Sequence, residues 1–235
     1  MVSAVLILAI STSSAMSAPV VILVSTIDGL TPGSVIEGDT LVDIPAGGMI
    51  ILNDETGATR TLSGPYSGAL KETVASGNAT DTGVVTSLSR LLTSREEAQT
   101  KLGAVRALPS QMVDDANLIS IARSGSQCGS VGAAISLWRP ETLNADSRIA
   151  ITNISTNRHV EMLWQGGQSV IAWPDDLPAM DGARYLVKLE ISPRPVEIEL
   201  HLVPDTLVSV TQRAAWMSDA GCHRQALQLL AELTE

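Results

Sequence analysis

The sequence predicts a mainly β protein with a smaller α-helical part. Residues 185–191 and 196–202 alternate apolar with polar side chains, the period of antiparallel strands that bury one face. Short apolar runs broken by glycines fill residues 33–66 and indicate a meander of short strands. The expected order is a short-stranded β-module, a helical connector, a second, sandwich-like antiparallel β-module and a C-terminal helical hairpin.

Residues 1–18 are predicted to form a signal peptide. An apolar run at 5–10 precedes a patch of small residues, which suits cleavage after Ala15 or Ser17. A retained membrane anchor is the main alternative because residues 2–24 carry no charge, although the hydroxyl residues at 11–14 are poor anchor material. A buried N-terminal segment is the third interpretation. Signal cleavage predicts a periplasmic or secreted protein with no stable membrane span.

The first β-module is expected at residues 25–70 and the helical connector at 71–127. Apolar residues at positions 84, 85, 88, 91 and 92 follow helical spacing. Ser94 and Glu97 have the spacing of a capping box, which predicts that the connector is divided into two short helices.

The second β-module is expected at residues 128–204, with residues 192–195 as a hairpin connection between its two clearest strands. The helical hairpin is expected at 205–235. Asp205 is the predicted N-cap of its first helix, and Gly221 is predicted to end that helix in the C′ position.

Cys128 and Cys222 are the two cysteines of the chain. A small, even count in an exported protein favours one disulfide bond, with two unpaired buried thiols as the alternative. The bond would close a loop of roughly 95 residues and contribute about 4–5 kcal/mol in the chain-entropy model. It would tie the helical hairpin to the start of the second β-module.

Residues 31–66 resemble the periplasmic domain of FecR-like proteins. The matching residues run in the family's order: Pro32-Gly33, Glu37-Gly38-Asp39, residues 44–57 with the Gly47-Gly48 pair, and residues 62–66 with Gly64-Pro65. The resemblance implies a β-rich envelope domain used for protein–protein sensing or assembly. The cytoplasmic segment and membrane span that precede this domain in FecR-type signal transducers are not matched, so sigma-factor signalling is not transferred.

Composition and charge limit the partners. The chain has 15 basic and 25 acidic residues, a net charge of −10, and its basic residues are scattered singly. Such a chain repels phosphate backbones and anionic bilayers, so neither nucleic acid nor a membrane surface is predicted as a partner. Phe is absent and aromatic residues make up 3%, so the core must be built mainly from aliphatic side chains.

No catalytic, cofactor-binding or metal-binding residues are predicted. His159 and His201 are expected to be exposed, and His223 to be structural beside a disulfide. Ser169 and Ser130 lack the surroundings of a nucleophile elbow. The acidic pair at 175–176 with Asp181 does not match a calcium-binding loop.

Trp138, Trp164 and Trp173 are expected to fill the core as its large side chains, with an interface anchor on an open face as the alternative. The predicted function is non-enzymatic binding to an envelope protein or ligand of unknown identity. The alternatives are an envelope hydrolase with an unrecognised serine site and a structural assembly factor.

Overall fold

The computed structural model describes residues 17–70, 83–101, 118–143 and 145–234. The predicted signal peptide lies outside the described residues except for its last two positions. The N-terminal β-module consists of β1 (Pro19–Ser25), β2 (Val35–Glu37), β3 (Leu41–Ile44), β4 (Met49–Asp54), β5 (Thr59–Ser63) and β6 (Tyr66–Ala69). The order β2-β1-β4-β5 forms an antiparallel sheet, and β3 pairs with β6 beside it.

The central strands of this sheet are buried on both faces. Val20 and Ile22 of β1 point into the core of the N-terminal module. Their neighbours Val21 and Leu23 point to the opposite face, where helices cover them. This explains why β1 and β4 are nearly continuous apolar runs rather than alternating ones.

Close backbone contact accounts for one glycine of the module. A Cβ atom at Gly64 would lie 1.9 Å from the carbonyl oxygen of Pro45. No side chain fits in that space, so glycine is required where the end of β5 crosses the β3–β4 turn.

Three helices form one layer: α1 (Val84–Lys101), α2 (Val210–Asp219) and α3 (His223–Ala231). Apolar side chains of all three share a core with Val21, Leu23 and Ile51 of the first sheet. The predicted division of α1 into two helices is wrong. Ser94 lies inside a continuous helix and its hydroxyl donates to the carbonyl of Leu91 at 2.8 Å, instead of capping a new helix.

The start of α2 is fixed by the first module. Ser209, not Asp205, is the N-cap residue, so that prediction is wrong. The hydroxyls of Ser209 and Thr211 each donate to the carbonyl of Gly57 at 2.7 Å, and the Asn53 amide donates to the Thr211 hydroxyl at 3.0 Å. The helix ends as predicted, since Gly221 follows the C-cap residue with φ +83°.

The second β-module packs two sheets around one core. Its strands are β7 (Leu118–Ser120), β8 (Gly125–Ser130), β9 (Ser136–Trp138), β10 (Ser147–Asn153), β11 (His159–Trp164), β12 (Val170–Ala172), β13 (Ala183–Leu189) and β14 (Val196–Val203). One sheet has the order β11-β10-β13-β14-β8 and the other β12-β9-β7. One core is shared by both sheets of this module. It contains Ile149, Tyr185 and Leu200 of the five-stranded sheet and Ile119 and Leu137 of the three-stranded sheet.

The predicted fold class is confirmed: the described residues are mainly β, with antiparallel sheets and three helices, two of which lie at the C-terminal end. The hairpin between β13 and β14 also forms, with Val187 opposite Val196. Two pairs are parallel, β8 with β14 and β7 with β9. Within the residues that the structure describes, no helix is both long and apolar enough to cross a bilayer.

Candidate functional site

Cys128 and Cys222 join the second β-module to the helical layer. Their sulfur atoms lie 2.05 Å apart and their Cα atoms 5.9 Å apart, so the two cysteines form a disulfide, and both are buried. The side chain of Gln225 reinforces the junction. Its amide donates to the carbonyl of Cys128 at 2.7 Å, and its carbonyl accepts from the Cys128 N–H at 2.8 Å. The first turn of α3 is therefore held against β8 by a covalent bond and two hydrogen bonds.

A cavity of about 540 Å³ lies beside this junction. Its walls come from β7, β8 and the loop between them, from the α2–α3 turn and the length of α3, and from one residue of α1. The volume is within the range of known small-molecule sites. The basic side chains lining it are those of Arg95, Arg123 and Arg224, with His223 beside them. We call the cavity with these four residues the basic pocket.

The charge of the basic pocket is opposite to that of the chain. None of the described residues that line it is acidic, although acidic residues outnumber basic ones by 25 to 15. Burial, and then the charge of the neighbouring Arg224, lower the pKa of Arg123 from its usual value. Two arginines thus lie close enough to repel each other, an arrangement that an anion would relieve.

The first turn of α3 adds to this positive potential. Its N-cap residue is Cys222, whose side chain makes no capping hydrogen bond, and no acidic residue occupies the turn. N–H groups at the start of a helix carry a partial positive charge. His223 and Arg224 are the first two residues of this helix and both are exposed.

Apolar side chains complete the pocket. Leu118 comes from β7, and Leu227 and Ala231 come from α3. The site therefore offers cations beside an apolar wall, which is the arrangement that accommodates a charged group attached to an apolar body.

The β7–β8 loop that carries Arg123 is held in place from within. The side chain of Gln127 is buried, and its carbonyl accepts from the Ser120 N–H at 2.6 Å. Its amide donates to the carbonyl of Ser120 at 2.8 Å and to that of Arg123 at 3.3 Å. The backbone that positions Arg123 is thus anchored by one buried side chain.

The tryptophans considered as interface anchors lie elsewhere. Trp164 and Trp173 are 0% and 8% exposed and fill the core of the second β-module. The Trp173 ring meets the Tyr185 ring edge-on, with ring centroids 4.9 Å apart. Trp138 is half-buried in β9. The structure therefore places neither Trp164 nor Trp173 on an open face.

Trp164 instead belongs to a cluster around a buried arginine. Arg139 is 0% exposed, and its guanidinium donates to the carbonyls of Gln168, Ala145 and Gln165 at 3.0, 2.8 and 2.6 Å. The guanidinium carbon also lies 4.7 Å from the centroid of the Trp164 ring. Desolvation lowers the pKa of Arg139, and the nearby Asp146 opposes that effect. This arginine holds the β11–β12 loop to the module.

The serines and histidines considered for catalysis are dispersed. Ser169 is exposed in the turn before β12, and the Ser130 hydroxyl accepts from Arg213, a cation, at 3.3 Å. His159 is exposed at the start of β11, and His201 Nε2 lies 3.8 Å from Glu199 Oε1. No group of three His, Cys, Asp or Glu side chains in the described parts of the chain is arranged to hold a metal ion. Asp181 has a structural contact, since its carboxylate accepts from the Leu202 N–H at 2.8 Å.

The sequence interpretation did not find the arginines of the basic pocket. A signal for two of them was present, because Arg123 precedes Cys128 by five residues and Arg224 follows Cys222 by two. Pairing the cysteines brings both arginines to one junction. His223 was placed correctly beside the disulfide, but its side chain lines the pocket.

Comparisons with known proteins give no further assignment. No family model, no curated protein and no solved structure matches this chain.

Proposed function

We propose that this protein is an exported, non-enzymatic binding protein that acts by binding another component of the cell envelope. The observation that carries the proposal is the basic pocket, a cavity of about 540 Å³ with three arginines, one histidine and no acidic side chain among its described lining residues. In a chain of net charge −10, cations collected in one concave site favour recognition of a partner of opposite charge.

Binding is favoured over hydrolysis by the composition of that cavity. A serine hydrolase needs a nucleophile, a base and an acid that orients the base. Ser126 and His223 both line the pocket, but the described lining residues supply no acid to orient the histidine. The site offers the groups that hold a ligand and lacks the third member of a catalytic set.

Export is supported by two features. The apolar run and small residues at the start of the chain have the pattern of a cleaved signal. The Cys128–Cys222 disulfide favours an oxidising compartment, because disulfides form and persist there. The FecR-like resemblance of residues 31–66 favours the periplasm and a role in envelope interactions.

The test is capture of the tagged protein from intact envelopes after cross-linking, read by peptide and intact-mass spectrometry. We expect a mature N-terminus at Met16 or Ala18 and one component retained reproducibly. An unprocessed N-terminus would contradict signal cleavage and favour the retained anchor. A processed, folded protein that retains nothing would contradict the binding function, and a partner held at fixed stoichiometry through purification would favour the structural assembly factor instead.

A further inference from the structure

We propose that the basic pocket binds a small amphiphilic anion, with a carboxylate or phosphate head held by Arg123 and Arg224 and an apolar body lying against Leu118 and Leu227. The inference names the ligand class for the site on which the proposed function rests.

The head group follows from the charges. Arg123 is half-buried, and the adjacent Arg224 adds a second positive charge from a different element. Two arginines outside the pocket show the alternative of an acidic partner within the chain: Arg90 lies 3.5 Å from Asp219, and Arg184 lies 3.2 Å from Glu197. Guanidinium groups recognise carboxylates and phosphates through paired, charge-assisted hydrogen bonds. The pocket thus presents two arginines to its interior with no acid among the described lining residues.

The apolar body follows from the apolar side chains that line the same cavity. Leu118 and Leu227 line the same cavity as the arginines, and Ala231 continues the wall one turn further along α3. An inorganic anion would fill only part of 540 Å³ and would leave this apolar surface in water. A ligand with both parts uses the whole site.

The two arginines are held in register by the fold. A Cβ atom at Gly221, just before the disulfide, would lie 3.0 Å from the Ser126 hydroxyl oxygen of β8, so the α2–α3 turn lies directly on that strand. The disulfide and the Gln225 hydrogen bonds fix α3 at the same place. Fixed backbone positions for the two arginines reduce the ordering cost of binding to that of their side chains.

The test is isothermal titration of the purified, oxidised full chain with octanoate, octyl phosphate, acetate, inorganic phosphate and neutral octanol. We expect one or both amphiphilic anions to bind, more tightly than their head groups alone and more tightly than octanol. The preference between octanoate and octyl phosphate identifies the head group. Affinity should fall as salt is added, because part of it is electrostatic.

A double variant, R123Q/R224Q, should weaken binding of the preferred anion by at least about tenfold, since charge-assisted hydrogen bonds are the strong ones. The control is R148Q/R194Q, which removes the same charge from two exposed positions outside the pocket. It should bind as the unmodified chain does. A third variant, L227N, should reduce affinity for octyl phosphate while leaving affinity for inorganic phosphate unchanged.

Equal affinity in R123Q/R224Q and the unmodified chain would overturn the proposal, as would octanol binding as tightly as the anions, or no binding by any anion. These outcomes are separable from failure of the proposed function. A component retained from envelopes equally by the unmodified chain and R123Q/R224Q would preserve a binding function and place it outside the basic pocket.

Discussion

Arg139 and the arginines of the basic pocket show two opposite uses of one side chain. Arg139 is completely buried, with three backbone carbonyls and the face of Trp164 around its guanidinium. Arg123 and Arg224 lie at a junction between elements, beside each other and with no acid among the described residues around their cavity. The first site has a complete set of partners within the protein. In the second site, the described lining residues supply no acidic partner for the two arginines.

This difference in hydrogen-bonding partners distinguishes an arginine that stabilises the fold from arginines available to a ligand. A cation whose donors are satisfied within the fold contributes to stability and has little left to offer a ligand. Two adjacent cations facing a cavity contribute nothing to stability that is visible in their contacts, and their mutual repulsion opposes folding. The proposed ligand would relieve that repulsion from outside the chain. The predictions below test this contrast in order of expected effect.

The largest effect is expected from breaking the junction that positions Arg224. C222S should lower the free energy of unfolding by about 4–5 kcal/mol, because opening a loop with a separation of 94 residues restores entropy to the unfolded chain. Denaturant unfolding in oxidising buffer measures it. The difference in the free energy of unfolding between C222S and the unmodified chain should vanish when reductant is present. An equal difference under both conditions would show that the bond does not form in solution.

The next effect concerns the buried cation. R139M keeps an apolar side chain of similar length but leaves three carbonyls without their donor, so we expect a loss of about 3–4 kcal/mol. The matched control is R194M, at an exposed arginine in the β13–β14 connection, which should change stability by less than about 0.5 kcal/mol. Similar losses for the two variants would remove the contrast between buried and surface cations.

The elements that could be predicted from sequence are those with local periodicity. Strands β13 and β14 alternate cleanly, and Gly221, with φ +83°, follows the C-cap residue of α2 as predicted. Strand β8 was not predicted as a strand because its sequence, GSQCGS, has no apolar alternation. Its parallel pairing with β14 depends on partners about 70 residues away, which no local pattern contains.

Helix boundaries were less predictable for a similar reason. A serine followed three residues later by glutamate is the same sequence pattern at the start of a helix and in its interior. Ser94 has this pattern but lies in the interior of α1. The start of α2 depends on hydroxyl contacts of Ser209 and Thr211 with the β4–β5 turn. The basic pocket forms where α1, the β7–β8 loop and α3 come together. From the sequence, only the cysteine pair predicted one of these contacts, that between the C-terminal hairpin and the second β-module.

A smaller loss of stability is expected from T211V, which tests whether the N-terminal module stabilises the helices that form the pocket. T211V removes a buried hydroxyl that donates to Gly57 and accepts from Asn53, so we expect a loss of about 1–3 kcal/mol. Because α2 and α3 share one core with the first sheet, hydrogen exchange should rise in β4, α2 and α3. The control segment is residues 165–168 around Arg139, where protection should stay unchanged. Uniform loss of protection throughout the chain would show that the pocket and the Arg139 cluster unfold as one unit.

The smallest change in the free energy of unfolding is expected at Arg123, which is proposed to bind a ligand and not to stabilise the fold. R123Q removes one of two adjacent cations, so the free energy of unfolding should rise slightly, by no more than about 0.5 kcal/mol. Urea denaturation at low and high ionic strength measures the change, which should shrink with added salt because the repulsion is screened. R148Q, an exposed arginine of β10, gives the baseline for losing one charge. A loss of stability in R123Q as large as that in R139M would mean that Arg123 has a partner within the fold, and the basic pocket would then be a structural cluster of the same kind as the one around Arg139.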